Sequence, residues 1–330
     1  MEALSDTDTR LLVDSADRFF ADKHGAILRG DYSDMQGSGA LWSECAAMGW
    51  LQICESVTDS EPGFGTLEAA ALMEAIGAYL PPLPLAHGVA IATLLVDIRI
   101  PAHEARPLAS WLQGQSSMGM VEDDTVLYAA AEQALRLSWA DNILLVEQVT
   151  PSRVGYGVDP LIAVAAEAGE PRRVATLPCE QPMWRRYRAR LRCLLLAEAL
   201  GAAGAALNLA VQYAKEREQF GRPIGANQAI KHALADNRMA LDDARLALHD
   251  ACAAIDGSGE AMANRLAMAE LLVQEATHAI AAQSIQAHGA TGFTWECPVH
   301  FYFKRIKHIG ARLRRNRDAV AILEQIWEAC

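Results

Sequence analysis

Three short clusters in this sequence carry side chains with the right types and spacing for chemistry. The first is Tyr213-Ala214-Lys215-Glu216-Arg217-Glu218-Gln219-Phe220-Gly221-Arg222-Pro223-Ile224. Arg217 offers a planar fork of donors suited to a phosphate, and Phe220 offers a flat face for a ring system. Gly221 and Pro223 should stop the Ala/Leu-rich helix leading in from about Leu191, which places Arg217, Gln219 and Phe220 at a turn. The pattern reads either as a nucleotide-phosphate contact or as a solvated cation favoured by a helix C-terminus. The second cluster is Gln286-Ala287-His288-Gly289. Gln286 can donate to a phosphate oxygen and Gly289 admits close backbone approach; equally, the glycine can simply cap a helix. The third is Glu275-Ala276-Thr277-His278. A di-iron carboxylate centre would need a second Glu-x-x-His and two further helical glutamates, and the sequence has no second copy.

Other chemistries lack their signatures. No strand leads into Gly-x-Gly-x-x-Gly, and no Gly-x-Ser-x-Gly elbow occurs. Gly201-Ala202-Ala203-Gly204 lies inside a helical run and reads as a packing face. The net charge of -12 argues against nonspecific nucleic-acid binding. The seven cysteines are odd in number and form no Cys-x-x-Cys pair, so structural zinc and a disulfide framework are not expected. A reducing, cytoplasmic setting is the simpler expectation. Met1–Asp6 lacks the basic and apolar regions of a signal peptide. The apolar run from Leu191 to Ala210 is interrupted by Arg192 and Glu198, short of the ~20 residues that span a bilayer.

The elements that must position these clusters fall into three regions of the 330 residues. Residues 1–106 read as an α-helical domain. Asp6 or Thr7 caps a first helix carrying Leu11, Leu12, Ala16, Phe19 and Phe20 on one face, and further helices are expected at Leu41–Cys54, Thr66–Leu80 and Leu85–Val96. Residues 107–180 alternate short apolar runs with turn residues: Ser117–Met120, Val126–Ala131, Asn142–Val149, Val154–Val158 and Arg173–Leu177. They read as a small β domain. Residues 181–330 return to helix at about 184–220, 226–256, 260–288 and 297–328. Long helices joined by short loops make an antiparallel four-helix bundle. The late basic run (Lys304, Arg305, Lys307, Arg312, Arg314, Arg315, Arg317) reads either as a solvated face or as a contact with phosphates or an acidic partner.

Three motifs in order resemble the acyl-CoA dehydrogenase family. They are Gly49-Trp50-Leu51 with Glu74-x-x-Gly77 and Pro84; Arg217-x-Gln219-Phe220-Gly221-x-Pro223-Ile224 with Gln228 and Leu234-Ala235-Asp236; and Gln286-Ala287-His288-Gly289-Ala290-Thr291-Gly292-Phe293-Thr294-x-Glu296-x-Pro298. The resemblance implies a helical N-terminal domain, a β middle domain and a helical C-terminal bundle that makes the subunit interface. It also implies that Arg217, Gln219, Phe220, Gln286 and Gly289 bind FAD held mainly by a neighbouring subunit. The family usually has a second glycine where this chain has Ala290.

Two parts of that pattern are missing. The family removes a proton at Cα of the thioester with a glutamate base. The resemblance places that base either at Leu191, before Arg192, or near Leu313, within Arg312-Leu313-Arg314-Arg315. Neither leucine can take a proton. Residues 107–180 also lack the Thr/Ser-Glu-Pro loop and the Trp-Ile-Thr/Ser strand that face the isoalloxazine ring; Trp139 is followed by Ala140-Asp141. This split resembles the small subunit of heteromeric, α2β2 acyl-CoA dehydrogenases of bacterial steroid catabolism. It implies a non-catalytic subunit, a larger FAD-binding partner with the base, and a steroid-derived acyl-CoA substrate. Two alternatives stand beside it: a self-sufficient homo-oligomer with Glu198 or His308 as a displaced base, and a scaffold or acyl-CoA-binding module without redox chemistry.

Overall fold

A computed structural model describes residues 6–23, 38–54, 64–100, 105–257 and 261–314. In chain order the helices begin with α1 (Asp6–Lys23), α2 (Ser38–Ala47), a 3-10 turn at Trp50–Gln52, α3 (Thr66–Gly77), α4 (Leu85–Asp97) and α5 (Arg106–Leu112). Five strands follow: β1 (Gly119–Glu122), β2 (Thr125–Leu127), β3 (Ala134–Ala140), β4 (Ile143–Tyr156) and β5 (Ala163–Pro178). Then come α6 (Gln181–Glu216), the minimal strands β6 (Glu218–Gln219) and β7 (Arg222–Pro223), α7 (Gln228–Asp256), α8 (Met262–His288), a 3-10 segment (Gly289–Phe293) and α9 (Val299–Arg314). The protein is mainly α with a small β region, as expected. By contact it divides into two compact units, one drawn from 1–32, 66–81 and 192–330 and the other from 33–65 and 82–191.

In the second unit, β1-β2-β5-β4-β3 close into a barrel, with β1 and β3 parallel and the other pairs antiparallel. Small apolar side chains pack together there: Val126, Ala129, Ala134, Val149, Ala163 and Ala165. Two strand expectations need correction. Ala134–Ala140 is a strand the apolar-run reading passes over. Asn142–Val149 and Val154–Val158 are one strand, β4, whose register against β5 shifts between Gln148 and Thr150 and between Ser152 and Gly155. Pro151 sits between those shifts, where an irregular ladder tolerates a residue without an N–H. The same unit stacks Trp42 on Trp111 at 4.7 Å, with the Trp42 indole donating to Trp111 O at 2.8 Å. The expected helix Leu41–Cys54 is broken after Ala47 because Gly49 turns left-handed, φ 76.

The first unit is built on α6 to α9, with α7 and α8 packed side by side and α3 laid across the bundle. The crossing is made backbone to backbone. A β-carbon on Gly77 would lie 2.3 Å from Glu198 O, and one on Gly201 would lie 1.9 Å from Glu74 O. Around it, Arg305 is fully buried and donates to Glu198 at 2.7 Å and to Pro81 O and Leu80 O at 3.2 Å each. Tyr302 donates to Ala78 O at 2.8 Å. Arg245 grips Glu74 at 2.6 Å. The carboxylate of Asp256, at the end of α7, accepts from Thr66 N–H at 2.6 Å and from its hydroxyl at 2.5 Å. That anion caps the first turn of α3 and suits its dipole.

Three further expectations change. On α1, Ala16 and Phe20 are buried but Leu11 is 62% exposed, so the apolar face is narrower than drawn. In the basic run, Arg305 belongs to the core, while Arg315 and Arg317 lie outside the described residues. Contrary to expectation, α6 is long and apolar enough by composition to cross a membrane, but 72% of that stretch is buried, as in the core helix of a bundle.

Candidate functional site

The first cluster is not the end of a helix but a tight hairpin. Regular helix stops at Glu216, and Arg217 N–H makes a last helical bond to Tyr213 O at 2.8 Å. The chain then reverses, pairing Glu218 with Pro223 and Gln219 with Arg222. Phe220 (φ 54) and Gly221 (φ 77) form its two-residue turn. Two positive φ values define the primed hairpin turn that favours Asn-Gly. Ile224 N–H closes the loop on Arg217 O at 2.8 Å, and Arg222 donates to Asn227 Oδ1 at 2.8 Å. Gly225 lets the hairpin lie against α6, since a β-carbon there would be 2.8 Å from Ala214 O.

These bonds occupy the hairpin backbone and Arg222. They leave the side chains of Arg217 and Gln219 exposed and Phe220 100% exposed. Among the described residues the Arg217 guanidinium makes no hydrogen bond or ion pair. Lys215, Arg217, Arg222 and Lys231 outnumber Glu216 and Glu218 around the hairpin, a locally cationic surface on an acidic chain.

The second cluster caps α8. Gly289 adopts φ 64, ψ -140, and its N–H bonds to Gln286 O and Ile285 O. Among the described residues, nothing beyond its own chain neighbours lies within 4 Å of where a β-carbon on Gly289 would sit, so the backbone there is open to approach. Gly292 is needed for a different reason: its missing β-carbon would lie 2.8 Å from Ile285 O. Gln286, Gly289 and Ala290 are all exposed. Farther on, the Glu296 carboxylate is held below its usual range by its own backbone N–H and by the Thr294 hydroxyl.

One contact, unmarked by any motif or spacing, brings the two clusters together. Tyr213, one turn before Arg217, stacks on His288, beside Gly289, with ring centroids 4.5 Å apart and planes 27° off parallel. His288 Nδ1 is 2.7 Å from Ser284 O. The hairpin and the Gln286 turn therefore share one end of the bundle. All five residues singled out from the sequence are exposed there.

The two positions for a catalytic base hold leucines. Arg192, next to Leu191, donates to Leu313 O at 3.4 Å. Leu313 is 3% exposed. The carboxylate that does lie there is Glu270 of α8, a residue the motifs do not mark. It is 2% exposed, and both its oxygens are bound by Arg192. With both oxygens held in charge-assisted bonds and the side chain buried, this carboxylate is occupied within the fold. Glu198 is 5% exposed and committed to Arg305. His308 lies half-buried on α9.

In the barrel, Trp139 occupies β3 with its indole N–H given to Cys179 O at 2.7 Å, a clip within its own unit. Among the described residues, no group of three or more His, Cys, Asp or Glu side chains is placed to hold a metal ion, and Glu275 and His278 gain no further ligands.

The description that matches residues 188–310 is acyl-CoA dehydrogenase, C-terminal domain. The acyl-CoA dehydrogenase IpdE2 of Mycobacterium tuberculosis is 39% identical over 137 residues, which is 41% of this chain and 41% of that protein. The match thus spans about two fifths of that relative's length. Among solved structures, the ChsE4-ChsE5 complex from Mycobacterium tuberculosis contains a chain with TM-score 0.76 and 20% identity, covering 99% of this chain and 98% of that one. The Tcur3481-Tcur3483 steroid ACAD G363A variant gives TM-score 0.74 and 23% identity, with 96% and 98% covered. Residues 188–310, which hold both exposed clusters, match the acyl-CoA dehydrogenase C-terminal domain, and the chain as a whole has the acyl-CoA dehydrogenase fold.

Proposed function

We propose that this chain is the non-catalytic subunit of a heteromeric, FAD-dependent acyl-CoA dehydrogenase. A larger FAD-binding subunit supplies the glutamate base, and α2β2 is the expected assembly. Arg217, Gln219, Phe220, Gln286 and Gly289 reach the dinucleotide end of the partner's flavin. FAD supplies the hydride acceptor for α,β-desaturation of an acyl-CoA thioester, with a steroid-derived acyl chain as the favoured substrate.

One observation carries this reading. The exposed bundle end is fitted for an anionic, planar ligand, with an uncommitted guanidinium, an exposed amide, an open glycine backbone and an aromatic ring in solvent. The base positions, by contrast, hold Leu191 and Leu313, and the Glu270 carboxylate is bound on both oxygens by Arg192. Binding groups face outward, while Glu198 and Glu270 are each committed to a buried arginine contact. The two structural neighbours, one from the ChsE4-ChsE5 complex and one a steroid ACAD, support the partner and the substrate class.

The test is to purify the chain alone and together with a co-expressed larger acyl-CoA dehydrogenase subunit, then record flavin absorbance and thioester-dependent dye reduction. The lone chain should be colourless and inactive, and the complex yellow and active. A yellow, active lone chain would overturn the proposal.

A further inference from the structure

We infer that Tyr213 and His288 are positioning residues that set the reach between Arg217 and the Gln286–Gly289 turn. The inference rests on the flavin-binding reading above. A pyrophosphate needs its donors at a fixed span, and errors of about 0.5 Å weaken such a constellation. Here the donors stand on separate elements. Arg217 opens a hairpin that leans on its own helix through Gly225 and Ala214, and Gln286 lies in the last turn of α8. The bonds that shape each piece are internal: Ile224 N–H to Arg217 O in the hairpin, Gly289 N–H to Gln286 O in the cap.

The Tyr213–His288 stack crosses between them. Tyr213 O accepts the Arg217 N–H, so a shift of Tyr213 is passed to the Arg217 backbone by a 2.8 Å bond. His288 is held from the other side by its 2.7 Å contact with Ser284 O, and its β-carbon would press on any side chain placed at Gly292. The imidazole is thus fixed on α8, and the phenol takes its place from it. Neither ring need touch the ligand. Each acts through the cluster it borders.

The experiment uses the complex with the larger subunit. After removal of flavin, FAD is titrated back and followed by its fluorescence, for the parent, Tyr213→Phe, Tyr213→Leu, Arg217→Ala and the Tyr213→Leu/Arg217→Ala double variant. Tyr213→Phe keeps the stacking ring and should bind like the parent. Tyr213→Leu should weaken FAD binding by up to about tenfold, the size of an aromatic pair. On the Arg217→Ala background the same change should cost nothing more, because the group it positions is gone. A purely structural role would give the full extra loss there, and that result overturns the inference. Parental affinity in Tyr213→Leu with weakened binding in Arg217→Ala removes this inference alone. Parental affinity in Arg217→Ala removes the flavin-binding reading with it. Should Tyr213→Leu fail to assemble, His288→Gln removes the other ring and is read by the same criteria.

Discussion

A phenylalanine at φ 54 with its ring entirely in water is strained without compensating burial. Its β-carbon strains the left-handed backbone, and its ring gains nothing from the fold. Such residues persist where a function holds them. Phe220→Asn would install Asn-Gly, the turn's preferred pair, and should stabilise the chain by roughly 1 kcal/mol, while the complex loses flavin affinity. Chemical denaturation and FAD titration of the same variant check both halves; a gain in stability with unchanged affinity would leave Phe220 without a ligand role. His300 gives a second residue-level test. Burial first, then the Lys304 ammonium, push its imidazole down to about 4. Above the unfolded value of about 6.5 neither state carries the proton. Below it the unfolded chain takes a proton that the folded chain refuses, so stability falls as pH drops from about 6.5 toward 4. Thermal denaturation across that range should decline more steeply for the parent than for His300→Phe. At this scale the sequence marks candidate residues but not how they are held. Gly221 and Pro223 stop a helix and close a hairpin equally well, and no spacing rule announces that Tyr213 meets His288.

Elements follow from periodicity where the pattern is long, and fail where backbone contact decides. The bundle helices were legible because α6 to α8 run for 36, 29 and 27 residues, long enough for composition and caps to agree. Strand β3 was not legible, since Ala134-Leu135-Arg136-Leu137-Ser138-Trp139-Ala140 has no β-branched run to mark it. Nor could sequence tell which glycine of Gly201-x-x-Gly204 is essential. A β-carbon at Gly204 would meet Leu241 at an ordinary 3.6 Å, whereas one at Gly201 would collide with Glu74 O. The Glu198–Arg305 pair ties α6 to α9 beside this crossing. Its burial makes Glu198 a structural anion rather than a displaced base, and the two roles separate experimentally. Glu198→Gln leaves Arg305 buried without a counter-charge and should cost about 3–5 kcal/mol, seen in urea unfolding, while turnover per folded complex stays at the parental level. Parental stability with lost turnover would instead make Glu198 the base.

At the scale of the whole molecule, the proposed division of labour asks a partner for more than a base. The barrel packs Ala and Val side chains together and spends the Trp139 indole on its own backbone, while the groups suited to a dinucleotide face outward from the bundle end. Restoring a base should therefore not restore the reaction. Leu191 is half-buried and precedes Arg192, so Leu191→Glu places a carboxylate at one of the family's positions without filling a tightly packed one. A catalytic base is only as useful as its distance to the proton it removes, and that proton is presented only when thioester and flavin are held over it. The lone Leu191→Glu chain should accordingly stay colourless and show no thioester-dependent dye reduction above background. If it turned over, a seat for the flavin ring would have to exist within this chain and its identical copies, and the division of labour between two unlike subunits would fail. If it stayed silent while the parental complex was active, a restored carboxylate alone would not suffice, as the proposed two-subunit reading expects.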